Sequence, residues 1–249
     1  MKLFLGLIAA FGALVAIGMW GTMGPTTTFR YRLTVEIDTP DGVKSASSVL
    51  ETRIQDDTKA WWNLPDMRTT KVSMVGQAVY VDLGAGKHVI ALLASGPTGQ
   101  GGISHIFGGA IGREPSPPAS YQSVGGSYEV PPAGHPTLVT FADLADPASA
   151  KVVYATGRDV RLIPTAPGST SGSYKDFGPL TIDRFAETFG PGYALKGVFI
   201  QMTTDPITRG IEGKINWIGD YPKETTFERL LRGNAGGSSL MPGRNLKRN

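Results

Sequence analysis

The chain has 249 residues, 41% hydrophobic and 18% charged, a balance that suits a folded protein rather than a disordered one. Its formal charge of +3 is accounted for by Arg244, Lys247 and Arg248 in the acid-free stretch 233–249, so the remainder is neutral and a globally basic nucleic-acid binder is not indicated. There is no cysteine, which excludes disulfides, thiol lipidation and cysteine-based metal sites.

The first feature in chain order is an apolar run, Leu3 to Trp20, with no charge between Lys2 and Arg30. A helix crossing a bilayer needs about 20 apolar residues, and this run falls near the short end of that range with Trp20 at headgroup level. Length and flanks favour an uncleaved transmembrane anchor over a cleaved signal, for which Ala16-Ile17-Gly18 offers a small-x-small site near Gly18. At 100° per residue, Gly6, Ala9, Ala10, Ala13 and Ala16 share one face, while Phe4, Leu7, Ile8, Phe11 and Val15 cover the other. A stripe of small residues lets a second helix approach, so the span is a candidate surface for self-association or a membrane partner.

Beyond it, Arg30 to Ile37 alternates polar and apolar residues as a half-buried strand does, and Pro40-Asp41-Gly42 is a turn leading into a return strand, Val43 to Ile54. Lys71–Val75, Ala78–Leu83 and His88–Leu93 follow as strands, separated by Gly76-Gln77 and by Gly84-Ala85-Gly86-Lys87. Strands at this spacing point to an antiparallel meander, hence a sandwich or curved sheet. Residues 96–134 are dense in Gly, Pro and Ser and read as an insertion. Strand character returns at Thr137–Phe141, Lys151–Tyr154 and Val160–Ile163. Thr181 to Phe189 reads as a helix, with Ile182, Phe185, Ala186 and Phe189 on one face and Gly190 as its stop. Leu195–Met202 reads as a last strand, Thr225 or Thr226 can cap a short helix through Arg232, and the basic tail reads as disordered. The expected organisation is an anchor over 1–24, a mainly β domain over 25–232 with one or two short helices, and a tail over 233–249.

Three histidines, His88, His105 and His135, stand 17 and 30 residues apart, without the spacing of a metal site. Gly84-Ala85-Gly86-Lys87 lacks the preceding Gly and following Ser or Thr of a phosphate loop and reads as a hairpin turn. The nucleophile-elbow pattern is missing too, since Gly168 to Gly172 places Thr170 where the serine would stand. Asp56-Asp57 would point to opposite sides of a strand, and Asp143 and Asp146 flank a turn before Pro147. Trp61-Trp62 is a candidate partner-binding platform, given the enrichment of tryptophan at interfaces. In Asp205-Pro206-Ile207-Thr208-Arg209-Gly210-Ile211-Glu212, Arg209 can pair with Asp205 or Glu212, and a structural turn is expected.

Three stretches, FRYRLTVEIDTPDGVKSASSVLE (Phe29–Glu51), PTLVTFADLADPAS (Pro136–Ser149) and Phe189–Trp217 with its FGPG and DPITRGIEGKINW, resemble a family of alphaproteobacterial membrane-anchored envelope proteins of no known activity. The Gly101–Gly112 stretch departs from that pattern. The resemblance implies an envelope location and brings no substrate or catalytic residue. The resulting expectation is a single-pass protein of the bacterial inner membrane with its β-rich domain in the periplasm, or a periplasmic protein released by cleavage near Gly18. It would act as a binding or structural module, with the bilayer and a membrane or envelope protein as partners and without cofactor, metal or nucleic acid. The alternative is a hydrolase-like enzyme with a site under the 96–134 loop.

Overall fold

The computed structural model describes residues 26–56, 70–96, 101–102, 110, 125–164, 172–215 and 247–248. The alternation that begins at Phe29 becomes β1 (Thr26–Thr39), in which Tyr31, Leu33, Val35 and Ile37 are fully buried and Arg30, Arg32, Thr34 and Glu36 lie half-exposed on the opposite face. Pro40 and Asp41 turn the chain into β2 (Gly42–Asp56), paired antiparallel along the whole of β1 from Thr39↔Gly42 to Thr26↔Gln55. β3 (Thr70–Gln77) extends the sheet, running from Glu51↔Val75 to Asp56↔Thr70.

The chain then changes sheets. β4 (Val79–Gly84) pairs with β5 (Lys87–Ser95) and not with β3, so Gly76-Gln77 is a corner between sheets where a meander turn was expected. Gly76 makes this corner possible. Its φ is +147°, and a methyl group there would lie 2.4 Å from Leu50 Cδ2. Only a residue without a side chain can pass so close to β2 before leaving it. The β4–β5 connection is the hairpin turn anticipated, with Ala85 and Gly86 at φ +50° and +75°, the positive pair that a primed two-residue turn requires.

β6 (Gly101–Gly102) pairs with the end of β5, β7 (Ser127–Glu129) with a later strand, and β8 (Pro136–Phe141) with β5. β9 (Ala150–Pro164) joins the expected strands at 151–154 and 160–163 into one of 15 residues. β10 (Gly172–Asp183), of which Thr181–Asp183 was expected to start a helix, pairs along it. Thr181, Ile182 and Asp183 belong to this strand, so the expected helix is reduced to α1 (Phe185–Phe189). Its supposed apolar face is divided: Phe185 and Phe189 are buried in the inner core, Ile182 packs on the opposite side of the sheet, and Ala186 is exposed. β11 (Ala194–Met202) returns to pair with β1, and the backbone of β12 (Lys247–Arg248) pairs with Gln77 and Gly76 of β3.

The result is two antiparallel sheets, ordered β12-β3-β2-β1-β11-β7 and β10-β9-β8-β5-β4, with β6 beside β5. Tyr31, Leu33, Val35, Leu50 and Ile200 of the first sheet share one core with Val81, Val89, Ala91, Leu93 and Leu138 of the second. Each buried Val, Leu or Ile among them contributes roughly 1.5–3 kcal/mol. A second apolar cluster occupies the other face of the second sheet, built from Ile90, Leu92, Val139, Phe141 and Val152 together with Ile211 and Ile215. β5 therefore lies buried on both faces, an arrangement that replaces alternation with a continuous apolar run.

Among the described residues no helix is long and apolar enough to cross a membrane, and the Leu3–Trp20 run lies outside them.

Candidate functional site

After β11 the segment 203–215 crosses from one sheet to the other as a strap. It starts at Thr203, whose N–H donates to the Arg30 carbonyl at 3.1 Å. Asp205 then pairs with Arg32, and its carbonyl accepts from Arg30 Nη1 at 3.3 Å. Of the two partners expected for Arg209, Asp205 pairs with Arg32 of β1, and the Glu212 side chain lies outside the described residues. Where β3 leaves the first sheet, Thr208 takes over the edge of β2: its N–H donates to the Val49 carbonyl at 3.1 Å and its Oγ1 accepts from Val49 N–H at 2.8 Å. Gly210 adopts φ +103°, the left-handed conformation expected of it, and opens a 3₁₀ turn at Ile211–Gly213. Gln77 Oε1 accepts from the Ile211 N–H at 2.9 Å, and Ile211 and Ile215 then bury on the far side of the second sheet.

The strap is fastened on the first sheet by charge. Glu51 is 4% exposed, and its carboxylate takes Arg53 Nε and Nη2 at 2.9 and 2.7 Å on one oxygen and Arg30 Nε at 2.8 Å on the other. The hydrogen bonds from Arg53 hold its pKa below the ordinary value, against the upward push of burial and with further help from Arg30.

On the second sheet the strap meets His88. This residue is 5% exposed and shares the side of β5 that carries Ile90 and Leu92. Its ring stacks on Tyr80 at 5.5 Å and on Phe141 at 6.5 Å. Nε2 accepts the Phe141 N–H at 3.3 Å, and the Gly86 backbone binds the ring as well. Burial lowers the imidazole pKa, opposed by the Gly86 bond and the charge of Asp82. Lys214 of the strap places Nζ 4.6 Å from the centre of the same Tyr80 ring.

His135 sits at the margin of the inner core, 7% exposed, with Nε2 bonded to the Val130 carbonyl at 2.9 Å and Nδ1 to Tyr154 Oη at 3.2 Å. Burial lowers its pKa too, opposed by the Val130 bond and Glu129, while burial raises that of Tyr154, helped by Asp183. An aromatic row continues from Tyr154 through Phe185 and Phe189 to Tyr193, whose ring lies 4.6 Å from Lys87 Nζ. That ammonium also donates to the Phe189 carbonyl at 2.9 Å, so Lys87 closes the end of the core. Tyr31, wholly buried, donates to Met74 Sδ at 3.9 Å, and its hydroxyl pKa is raised by burial.

The exposed part of the domain is a ribbon. β8 pairs with β9 only as far as Tyr154; from Gly157 to Pro164 the strand partner of β9 among the described residues is β10. Ile163 and Phe177 on this ribbon are 42% and 51% exposed. Lys175 Nζ lies 5.3 Å from the Phe177 ring, and Arg158 Nε meets Asp176 Oδ2 at 2.6 Å.

Of the residues singled out from sequence, Trp61, Trp62, Gly6, Ala9, Ala10, Ala13, Ala16, His105 and the Thr225–Arg232 helix lie outside the described residues. Asp143 and Asp146 are the turn residues expected, accepting from the N–H groups of Ala145 and Ala148 at 2.8 Å each. His88 and His135 are on separate sides of the second sheet, and among the described residues no group of three His, Asp or Glu side chains is placed to hold a metal. Compared with known protein families, curated proteins and solved structures, the chain finds no match.

Proposed function

We propose that this chain is a non-enzymatic module of the bacterial envelope, held at the inner membrane by the Leu3–Trp20 helix with its β domain in the periplasm, and that it binds a protein partner through the β9–β10 ribbon. The ribbon carries the proposal. Among the described residues its two strands extend past β8, with Ile163 and Lys175 on one face, Arg158 on the other and Phe177 at the bulge, so that apolar, aromatic and arginine side chains of the kinds enriched at interfaces stand exposed. The buried ionisable groups support the same reading, because Glu51, His88, His135 and Tyr31 are each engaged by neighbours within the protein. Tethering follows from the apolar run, since Thr26 comes six residues after Trp20, a reach of about 20 Å when extended.

A photo-crosslinking residue placed at Phe177 in intact membranes tests the ribbon, with Val43, the exposed residue just after the β1–β2 turn, as control. Protein adducts from Phe177 and none from Val43 are expected. Recovery of the uncrosslinked monomer from the Phe177 position, or the same adducts from both positions, overturns the proposal. Resistance to carbonate extraction tests the tether, which release of the chain into the soluble fraction would contradict.

A further inference from the structure

The imidazole of His88 is bound in a way that a neutral ring alone can satisfy. Nε2 accepts a main-chain N–H from Phe141, so that nitrogen must keep its lone pair. A proton arriving from solvent attaches at this atom, turns the acceptor into a donor and sets two N–H groups against each other. Phe141 is then pushed from a nitrogen and from a ring on which it stacks at 6.5 Å. Phe141 belongs to the same cluster as Ile211 and Ile215 of the strap, and Tyr80, stacked on His88, is the residue beneath Lys214. The new charge also stands beside a ring already occupied by an ammonium.

We propose that His88 is a pH-sensitive latch for the 203–215 strap: protonating its ring loosens the strap from the outer side of the second sheet while the core between the sheets stays closed. The location of the ring sets this selectivity. His88 points to the side of β5 that holds Ile90 and Leu92, away from Val89, Ala91 and Leu93, which face the first sheet. Among the described residues the ionisable groups around it are few. β4 contributes Tyr80 and Asp82, the latter directly across the ladder from His88; the strap contributes Lys214; and β8 contains no ionisable side chain. On β5 itself, Lys87 is engaged by Phe189 and Tyr193. Burial sets how far the pH must fall, and the Gly86 bond and the Asp82 carboxylate, which accepts from the Gly84 N–H, lessen that fall. The strap's other end is fastened by Asp205 to Arg32 and by Thr208 to the edge of β2, contacts in which the imidazole takes no part. Release therefore begins at Ile211–Ile215 and leaves Thr203–Asp205 attached.

This inference is independent of the ribbon and of the tether. Native-state hydrogen exchange on the full chain tests it by comparing the amides of Ile211, Lys214 and Ile215 with those of Leu33 and Val35 on β1. Between about pH 7.5 and about pH 5, strap protection relative to β1 is expected to fall about tenfold for each pH unit by which the ring's pKa is depressed. The fall should begin near the ordinary imidazole value of about 6.5 and level off at the folded pKa that NMR titration of the His88 ring reports. His88→Gln, which offers an amide oxygen to Phe141 but does not titrate, should abolish the pH dependence, whereas His135→Gln should keep it. Strap protection that is constant with pH, a fall that does not level off at the folded pKa of the ring, or a fall that persists in His88→Gln overturns the proposal. Should His88→Gln fail to fold, that comparison in the unaltered chain decides.

Discussion

The outer sides of the two sheets are closed by one strap but by opposite chemistry. On the first sheet it is tied by ions, with Asp205 on Arg32 and Glu51 held between Arg30 and Arg53; on the second it is held by Ile211 and Ile215 against an apolar surface that contains a neutral histidine. A carboxylate ringed by guanidinium groups is comfortable charged, while an imidazole that accepts a main-chain N–H is comfortable uncharged. The difference teaches that a short segment can have two ends with separate sensitivities. It also separates both ends from the core between the sheets, which contains no such dependence among its aliphatic members.

The strongest way to test that separation is to damage the core. Leu93→Ala, at a fully buried site facing the first sheet, should cost about 2–5 kcal/mol in chemical denaturation and lower protection in β1 and the strap alike. Gly76→Ala strikes the corner between sheets, where a methyl meets Leu50; a loss of about 1–3 kcal/mol is expected, with the strap the first region to exchange. Glu51→Gln removes the charge from the Arg30–Arg53 clamp and should cost about 1–2 kcal/mol, a modest value because both arginines are more than a third exposed. Thr208→Val deletes a single bond at the edge of β2 and should cost about 1 kcal/mol, read as faster exchange at Val49.

The acid responses should likewise fall in two windows. His88 and His135 have depressed pKa values in the folded protein, so between those values and the ordinary imidazole value of about 6.5 the unfolded chain binds more protons. Their contribution is complete above about pH 6.5 and declines as pH falls toward the folded values. Glu51, depressed from the carboxylate range, contributes above that range and is lost only at lower pH, as pH falls through its folded value. Denaturation midpoints across pH should show two separate declines, and Glu51→Gln should diminish the lower one, to which Asp176 beside Arg158 also contributes, and leave the upper one in place.

Much of this fold is legible in the sequence where local pattern and tertiary role agree. The alternation of β1, the Pro40-Asp41 turn and the Ala85-Gly86 hairpin are local events, and each is present. The sheet change at Gly76-Gln77 is not local, because a turn signal does not say which sheet the chain enters next. β10 escapes notice because it is an exposed strand broken by a bulge between Asp176 and Pro179, so little of it alternates. Thr181–Phe189 misleads because its apolar residues serve two clusters on different sides of a sheet, a spacing that imitates one helical face. The histidines read as scattered, and they are. What pattern could have revealed is parity: His88 falls in step with Ile90 and Leu92 inside an unbroken apolar strand, which marks it as buried without showing what binds its ring.

The most direct test of the two-ended strap is one exchange series on the unaltered protein, recording Val49 and Thr208 at the edge of β2, Ile211 and Ile215 on the second sheet, and Leu33 on β1 as pH is lowered from about 7.5 to about 5. Ile211 and Ile215 are expected to lose protection relative to Leu33, from about pH 6.5 down to the folded pKa of the His88 ring, while Val49 and Thr208 stay in step with Leu33. A simultaneous loss at all five amides, or none at Ile211 and Ile215, would contradict the two-ended strap.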